Sequence, residues 1–294
     1  MMIQKRRKIS SGQIISNMIL AVFSLFCILP LVLVLSISLS DERTIASSGY
    51  SLIPENFTWF AYEYVMKSSA SLFNAYGVTI FVTVVGTVLS VIVTALLSYP
   101  LSRGELRYRR PVLFYVFFTM LFNGGLVPWY ILITQYLDMK DQIFVLIVPY
   151  LVSAWNVLLM RNFFRTIPES IMESARIDGA GEWLIFFKIV APLSLPSFAT
   201  IALLNSIAYW NDWWLGLLFI ENRNLFPLQL LLQSVLSNLD ALAAFSAARN
   251  IVVEIPGETA RMALCILAIG PIIIAYPFLQ RYFVKGLSVG AVKE

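Results

Sequence analysis

Residues 72–101 read LFNAYGVTIFVTVVGTVLSVIVTALLSYPL and contain no charged side chain. An α-helix rises 1.5 Å per residue, so about 20 apolar residues cross a hydrocarbon core about 30 Å thick. This stretch is therefore long enough to span a membrane as one helix. Similar runs, with few or no charges, predict six spans along the chain. They occupy residues 14–39, 72–101, 111–136, 142–160, 197–220 and 263–280.

The composition is typical of a protein whose surface faces lipid. Of the 294 residues, 59% are hydrophobic and 13% are charged, whereas a soluble domain carries about 25% charged residues. A shorter apolar stretch, Leu225–Leu239, is interrupted by Pro227 and three amide side chains. It predicts a re-entrant or interfacial helix and not a seventh span. The predicted fold class is an all-α polytopic membrane protein with about six transmembrane helices.

The basic residues indicate the orientation. With the N-terminus in the cytoplasm, the inside segments hold fifteen of the 21 lysines and arginines. These segments are 1–13, 102–110, 161–196 and 281–294. Because cytoplasmic loops are enriched in Lys and Arg, both termini are predicted to be cytoplasmic. The predicted parts of the chain are a cytoplasmic N-terminal segment (1–13), a transmembrane domain (14–283, with a loop at 165–196) and a cytoplasmic C-terminal tail (284–294).

Several classes of function are excluded by residues that the sequence lacks. It has no histidine, the commonest general base and metal ligand, and no G-x-x-x-x-G-K-[ST] phosphate loop. Cys27 and Cys265 lie in apolar runs, as small core residues do. The basic residues form no patch with interleaved aromatics, so nucleic acid is not an expected partner. We expect no catalytic residue, no metal site and no cofactor bound by this chain.

The predicted inside loop between the fourth and fifth runs carries the most specific pattern. Residues 166–169 read TIPE, which fits a capping box, and a short helix follows. The sequence Gly179-Ala180-Gly181 ends that helix, and a second amphipathic piece covers 183–190. The whole element is too polar to enter lipid. It either rests on the bilayer, with Glu173 paired to Arg176 at i,i+3, or presents a knob to another protein.

This loop resembles a known motif. The resemblance, to the cytoplasmic EAA loop of permeases from ATP-binding-cassette (ABC) importers, rests on Glu173-Ser174-Ala175, Asp178-Gly179-Ala180, Ile189 and Leu195-Pro196. One departure is Ser174, where the family usually has alanine. The whole chain resembles the smaller permease of the maltose-transporter type, in the branch linked to oligosaccharides and polysaccharides such as alginate. Supporting segments are 123–128 (NGGLVP), 209–212 (YWND) and 285–293 (KGLSVGAVK).

The resemblance implies a fold and a set of partners. The fold is that of a type I ABC importer permease in a prokaryotic inner membrane. Its loop forms a coupling helix seated on an ATPase subunit, and its tail reaches into the ATPase dimer. The implied partners are a second homologous permease in a heterodimer, two cytoplasmic ATPase subunits that hold ATP and Mg, an extracytoplasmic solute-binding protein and the lipid bilayer. The implied ATPase-coupling residues are Glu173, Ala175, Asp178, Gly179, Ala180, Ile189 and Pro196.

A stripe of polar and aromatic residues marks a candidate translocation path in the fifth run. Its members recur at i, i+4, i+7 and i+8 from Asn205, which is one face of a helix. Polar groups inside a membrane normally face a bundle interior or a watery cavity, whereas Trp and Tyr near the end of a span also form interfacial belts. Both interpretations stay open. Residues 123–128 are expected to break the third span beside a cavity. The candidate substrate-path residues are Asn156, Asn205, Tyr209, Trp210, Asp212 and Trp213.

The sequence therefore predicts a permease subunit that translocates a carbohydrate delivered by the solute-binding protein, driven by ATP hydrolysis in its partners. Two alternatives remain. An ion-coupled secondary transporter needs ionisable residues near the bilayer midplane, and Asp212 is the one candidate in the predicted spans. An importer for glycerol phosphate or a polyamine would share the fold and differ in substrate.

Overall fold

The structure is a computed structural model that describes residues 11–67, 69–249 and 257–273. Within these ranges the ordered elements are helices, apart from one isolated bridge between Ser40 and Phe57. The predicted tail at 284–294, most of the N-terminal segment and the end of the sixth run lie outside the described residues.

The described residues divide into two units, 11–67 with 236–249 and 257–270, and 69–235 with 271–273. The helices of the first unit are α1 (Ser11–Ser38), α2 (Glu42–Ser48), α3 (Phe60–Met66) and most of α14 (257–273). The helices of the second unit are α4 (Ser69–Ser102), α5 (Arg109–Leu121), α6 (Leu126–Ile131), α7 (Ala154–Phe164), α8 (Glu169–Ile177), α9 (Glu182–Ile185), α10 (Ala191–Leu193), α11 (Leu195–Trp210) and α12 (Trp214–Phe219). Helix α13 (Leu228–Arg249) has residues in both units.

Tighter or wider helical turns complete several of these elements. A π-helical turn at Leu132–Tyr136 continues α6, and another at Phe186–Val190 joins α9 to α10. The 3₁₀ turns are Ile143–Leu146, Val148–Tyr150 and Arg223–Leu225.

In the first unit, one carboxylate joins segments that are distant in sequence. The Glu42 side chain accepts hydrogen bonds of 3.0 Å from the amides of Glu258 and Thr259, in the first turn of α14. The first amides of a helix have no intrahelical partner and favour a negative charge. Glu42 therefore caps α14 from the residue that begins α2.

Five of the six predicted spans have counterparts among the described residues, which confirms the all-α membrane fold. The sixth run begins inside α14 and continues beyond residue 273. Two counterparts are continuous helices, Gly12–Ser38 and Ala70–Ser102. The other three are pairs of helices bent at a break, namely Arg109–Leu121 with Leu126–Tyr136 (112°), Ile143–Tyr150 with Ala154–Phe164 (50°) and Glu182–Leu193 with Leu195–Trp210 (78°).

Two boundaries differ from the prediction. The fifth run, predicted as an unbroken span over 197–220, is interrupted at 211–213, between α11 and α12. Of the apolar stretch at Leu225–Leu239, residues 228–239 lie in α13, which has 22 residues and is longer than expected. Helix α13 is not among the helices apolar enough to cross a membrane. The prediction that this stretch is not a seventh span is confirmed for the described residues.

Helix α4 is the centre of the second unit and packs on α11 and α7. At its closest approach to α11, Gly86 faces the ring of Tyr209. The Tyr209 hydroxyl lies 3.1 Å from the Ser90 hydroxyl and donates to the Ile147 carbonyl at 3.0 Å. These bonds hold the buried ring in place. A β-carbon at residue 86 would lie 2.6–2.9 Å from three ring carbons, so only glycine fits without a shift of the Tyr209 ring.

Replacement of this glycine should therefore destabilise the helix pair. We expect Gly86→Ala to lower the free energy of unfolding by about 1–3 kcal/mol, the usual cost of overpacking. The matched control is Gly77→Ala in the same helix, where a β-carbon meets nothing within 4 Å and alanine is the better helix former. The melting temperature of the detergent-purified protein should fall in the first variant and stay level or rise in the second. Equal melting temperatures would contradict the proposed close contact.

Candidate functional site: the 165–196 loop and the cleft at the helix breaks

The loop at 165–196 has the predicted helix–glycine–helix form. Helix α8 ends at Ile177, and α9 starts at Glu182. Between them, Gly179 has a φ of +85°, a backbone angle that favours glycine. The Gly179 amide donates to the Arg176 carbonyl and the Ala180 amide donates to the Ala175 carbonyl. This pair of bonds is a Schellman motif, which explains the spacing of the two alanines around the glycine.

The predicted capping box at 166–169 is wrong. The N-cap residue of α8 is Pro168, and no side chain caps the helix there. The Thr166 hydroxyl instead donates to the Phe163 carbonyl at 2.7 Å. The motif places threonine two residues before the true N-cap, too early to reach the first amides of the helix.

The inner side of the loop is anchored in the core. Met172 of α8 is 1% exposed, and Ile185 and Val190 are fully buried. They belong to one hydrophobic cluster with Tyr99 of α4 and Phe164 of α7. Burial of one such aliphatic side chain contributes about 1.5–3 kcal/mol. The loop is therefore packed on α4 and α7 and is not a loosely attached surface helix.

Arg176 adds a polar link between the loop and the end of α4. Its guanidinium pairs with Glu105, and its Nε donates to Glu182 at 2.9 Å. The Tyr99 hydroxyl donates to the other oxygen of Glu182 at 2.7 Å. These two donors, Tyr99 first, lower the pKa of the Glu182 carboxyl. The alternative in which Arg176 pairs with Glu173 is therefore wrong, because Arg176 is occupied by two other carboxylates.

The outer side of α8 is exposed. Ser170, Glu173 and Ile177 follow one another at i, i+3 and i+7, and Ile177 is 86% exposed. Glu173 forms no ion pair within the described part of the chain. We call the surface formed by Ser170, Glu173, Ser174 and Ile177 the outer ridge. It combines a free carboxylate with a large apolar side chain, a combination that suits contact with another protein.

A second feature arises where three helices end at breaks in the chain. Helices α5, α7 and α11 have 13, 11 and 16 residues, or lengths of about 17–24 Å at 1.5 Å per residue. None of them crosses a 30 Å core alone. Their breaks lie at 122–125, 151–153 and 211–213.

A cleft of about 630 Å³ lies at these breaks. Its lining includes the Asn123-Gly124-Gly125 turn and the aromatic side chains of Trp129, Tyr150 and Trp214. The Tyr150 hydroxyl donates to Asp212 at 3.0 Å, so a carboxylate adjoins the cleft. The predicted break of the third span at 123–128 is thus present and lies beside a cavity, with Gly125 at a φ of +88°.

Comparison with known proteins identifies the family. A family model described as "Binding-protein-dependent transport system inner membrane component" matches residues 85–289. This chain belongs to that family. The permease is therefore a membrane transport subunit that associates with ATPase and solute-binding partners, and it is not itself an enzyme.

The sequences of individual relatives align with nearly the whole length of the permease. The polygalacturonan/rhamnogalacturonan transport system permease protein YtcP of Bacillus subtilis is 37% identical over 274 residues, covering 93% of this chain and 95% of its own length. Protein LplC of the same organism is 36% identical over 266 residues, covering 90% and 89%. A solved structure of a bacterial ABC transporter involved in the import of the acidic polysaccharide alginate has a similar chain. It matches with a TM-score of 0.79 and 31% identity, covering 96% of this permease and 100% of that chain.

The structure divides the predicted substrate-path residues into two groups. Asn156 and Asn205 are 6% and 5% exposed and hydrogen-bond to each other at 2.8 Å. Tyr209 and Trp210 are also buried. These four side chains pack between helices in this conformation and present no surface to a solute. The stripe of polar residues on one helix face therefore marks, in this part, a contact with a neighbouring helix. Asp212 is half-buried and Trp213 is exposed, so a solute can reach both side chains.

Sequence reasoning missed the aromatic residues of the cleft. Trp129, Tyr150 and Trp214 come from three different segments, and no helical period relates them. A signal was present, since each lies within a few residues of a break that Gly, Ser or an Asn-Asp pair marks in the sequence. Of the predicted coupling residues, Ala175 and Ala180 pack on the hydrophobic cluster. Glu173, Asp178 and Gly179 are exposed, and Ile189 and Pro196 are half-buried.

Loss of the Arg176 link should loosen the loop without unfolding it. Partly exposed ion pairs contribute about 0–1 kcal/mol each, so we expect Arg176→Gln to speed amide hydrogen exchange in α8 by several-fold. Lys188→Gln removes one positive charge from the same loop, where no ion pair is formed by Lys188 among the described residues. Exchange in that control should stay at the wild-type rate. An unchanged rate in Arg176→Gln would mean that the apolar packing alone holds the loop.

Proposed function

We propose that this permease is one half of a heterodimeric importer for an oligosaccharide or polysaccharide. The relatives with 37% and 31% identity carry names that refer to polysaccharides, whereas a glycerol-3-phosphate permease of Pectobacterium atrosepticum is 27% identical. This difference favours a carbohydrate over glycerol phosphate. The family match does not favour an ion-coupled carrier.

The outer ridge is the observation that carries the coupling role. It is an exposed face on a loop that is otherwise anchored by buried side chains and by Arg176. A rigid, exposed ridge transmits a push from a docked ATPase subunit, whereas a frayed loop would absorb it. In this proposal Glu173 and Ile177 enter the ATPase surface, and the Schellman motif at Gly179 fixes the angle of the turn.

The remaining partners follow from the same assembly. Two ATPase subunits bind ATP and Mg and dock on the cytoplasmic face, and a solute-binding protein delivers the substrate from outside. Both termini lie in the cytoplasm, and the tail at 284–294 extends towards the ATPases. The distribution of Lys and Arg supports this orientation.

The cleft at the helix breaks is the proposed sugar-contact surface of this half. A sugar presents apolar C–H faces together with hydroxyl groups. The aromatic faces of Trp129 and Trp214 suit the former, and the amide of Asn123 and the carboxylate of Asp212 suit the latter. Broken helices beside a cavity are also the usual way to place polar backbone groups at membrane depth.

A charge reversal on the outer ridge tests the coupling role. We expect Glu173→Lys to abolish ATP-dependent uptake in vesicles while membrane insertion stays normal, because the lysine enters a surface that receives a carboxylate. The control is Glu55→Lys, an equal charge change at an exposed residue outside the loop, which should transport normally. Normal uptake by Glu173→Lys would refute the coupling role.

A truncation in the cleft tests the substrate path. Trp214→Ala removes one aromatic face and should raise the substrate concentration for half-maximal uptake several-fold, with ATPase docking unchanged. Tyr115→Ala, at an exposed residue of α5 that does not line the cleft, is the matched control. If both variants gave wild-type uptake curves, the cleft would not be part of the path.

A further inference from the structure

Four arginines lie close together at the ends of α4, α5 and α7. Arg109 donates to the Arg103 carbonyl at 3.3 Å, and Arg161 donates to the Leu101 carbonyl at 2.9 Å. Arg165 follows one helical turn after Arg161. In the described part of the chain, none of these guanidinium groups has a carboxylate within ion-pair distance. Four unpaired cations in one region attract an anion from outside the chain.

A polar pocket of about 380 Å³ lies within this cluster. Arg103, Arg109 and Arg165 line it, together with Thr166 and the uncapped start of α8. One carboxylate, that of Glu169, also lines the pocket. The lining thus carries three positive charges and one negative charge, and the first amides of α8 add a positive potential. The pocket therefore favours a singly charged anion such as a phosphodiester.

A second, mostly apolar cleft of about 400 Å³ shares Arg103 with the polar pocket. Leu96, Leu106, Trp183 and Phe186 line it, and the ion-paired Glu105, Arg176 and Glu182 also lie in its wall. Between the two spaces, the Arg103 guanidinium lies 4.9 Å from the centre of the Tyr99 ring. Its Nε and Nη2 atoms are buried there without a hydrogen-bond partner. A charged pocket and an apolar cleft are thus adjacent and separated by one arginine.

We infer that these two spaces together bind one anionic phospholipid, with its phosphate among the arginines and part of an acyl chain in the apolar cleft. A free inorganic anion would use only the polar pocket. It would not explain why an apolar cleft adjoins that pocket and shares Arg103 with it. The site also lies at the start of α5, whose Phe114 and Tyr115 side chains are exposed as on a lipid-facing helix. Basic pockets at the cytoplasmic ends of spans are suited to anionic headgroups.

The lipid would contact both helices of the coupling loop. Glu169 begins α8, and Trp183 and Phe186 belong to the second helical piece. A bound lipid would therefore hold the loop against the end of α4. It would reinforce the polar link that Arg176 makes between the same two segments. This inference rests on the proposed function for its placement at the cytoplasmic face, but binding itself does not require transport.

The test measures lipid binding to the complete transporter. The complex is purified with its partners, delipidated and titrated with dioleoylphosphatidylglycerol or dioleoylphosphatidylcholine, and bound lipid is counted by native mass spectrometry. We expect a phosphatidylglycerol-selective site in the wild type. The double variant Arg103→Gln/Arg165→Gln should bind phosphatidylglycerol about fivefold more weakly for each arginine removed. The control Arg107→Gln/Arg110→Gln removes the same charge from exposed residues that do not line either space.

The outcomes separate the alternatives. Arg103→Lys/Arg165→Lys keeps the charge and should retain most of the binding, which distinguishes a lost site from a misfolded variant. Equal binding of phosphatidylcholine, equal loss in the control, or displacement of phosphatidylglycerol by an equal concentration of inorganic phosphate would each overturn the proposal. A wild-type transporter that takes up substrate normally but shows no phosphatidylglycerol-selective binding would overturn the lipid site and leave the importer function intact.

Discussion

The packing of α4 is the constraint on which the rest of the second unit depends, because this helix packs on α11 and α7 and is hydrogen-bonded to the loop. Near its middle, Gly86 lies against the Tyr209 ring of α11, two residues before the break at 211–213. Near its end, the Tyr99 hydroxyl donates to Glu182 of the loop. These contacts lie 13 residues apart, or about 20 Å on one continuous helix. In the proposed mechanism, a displacement of the loop would pass along α4 to the helices around the cleft, because the intervening side chains are closely packed.

The broken helices follow a second constraint, the cost of unpaired backbone groups in lipid. At each break a short polar side chain bonds an amide at the restart of the chain. Asn123 accepts from the amide two residues later, and Ser153 and Asp212 accept from amides three residues later. The side chains that make the breaks possible also place polar groups near the cleft. The polarity of this region is thus a consequence of interrupting three helices close to one cleft.

Hydropathy and turn chemistry predicted the spans, the glycine turn at Gly179 and the break at 123–128, because each depends on local sequence. The capping box at 166–169 failed locally, because α8 has Pro168 as its N-cap. The other predictions that failed depend on partners distant in the chain. Helical spacing suggested a Glu173–Arg176 pair, but Glu105 and Glu182 occupy the arginine. The stripe that includes Asn205 was compatible with a cavity or with a neighbouring helix, and α7 supplies the neighbour through Asn156. Periodicity identifies a face of a helix and does not identify what covers it.

The charged residues in and near the 165–196 loop differ in whether they have partners within the chain. Arg176 is saturated by carboxylates of the same chain and fixes the loop. Glu173 and the arginines at 103, 109 and 165 have no intrachain ion pair within the described residues. A charge that becomes desolvated needs a partner, since burial without one costs several kcal/mol, on the order of 3–5. In the two proposals, the ATPase subunit would supply a cation to Glu173 and the phospholipid would supply an anion to the arginines.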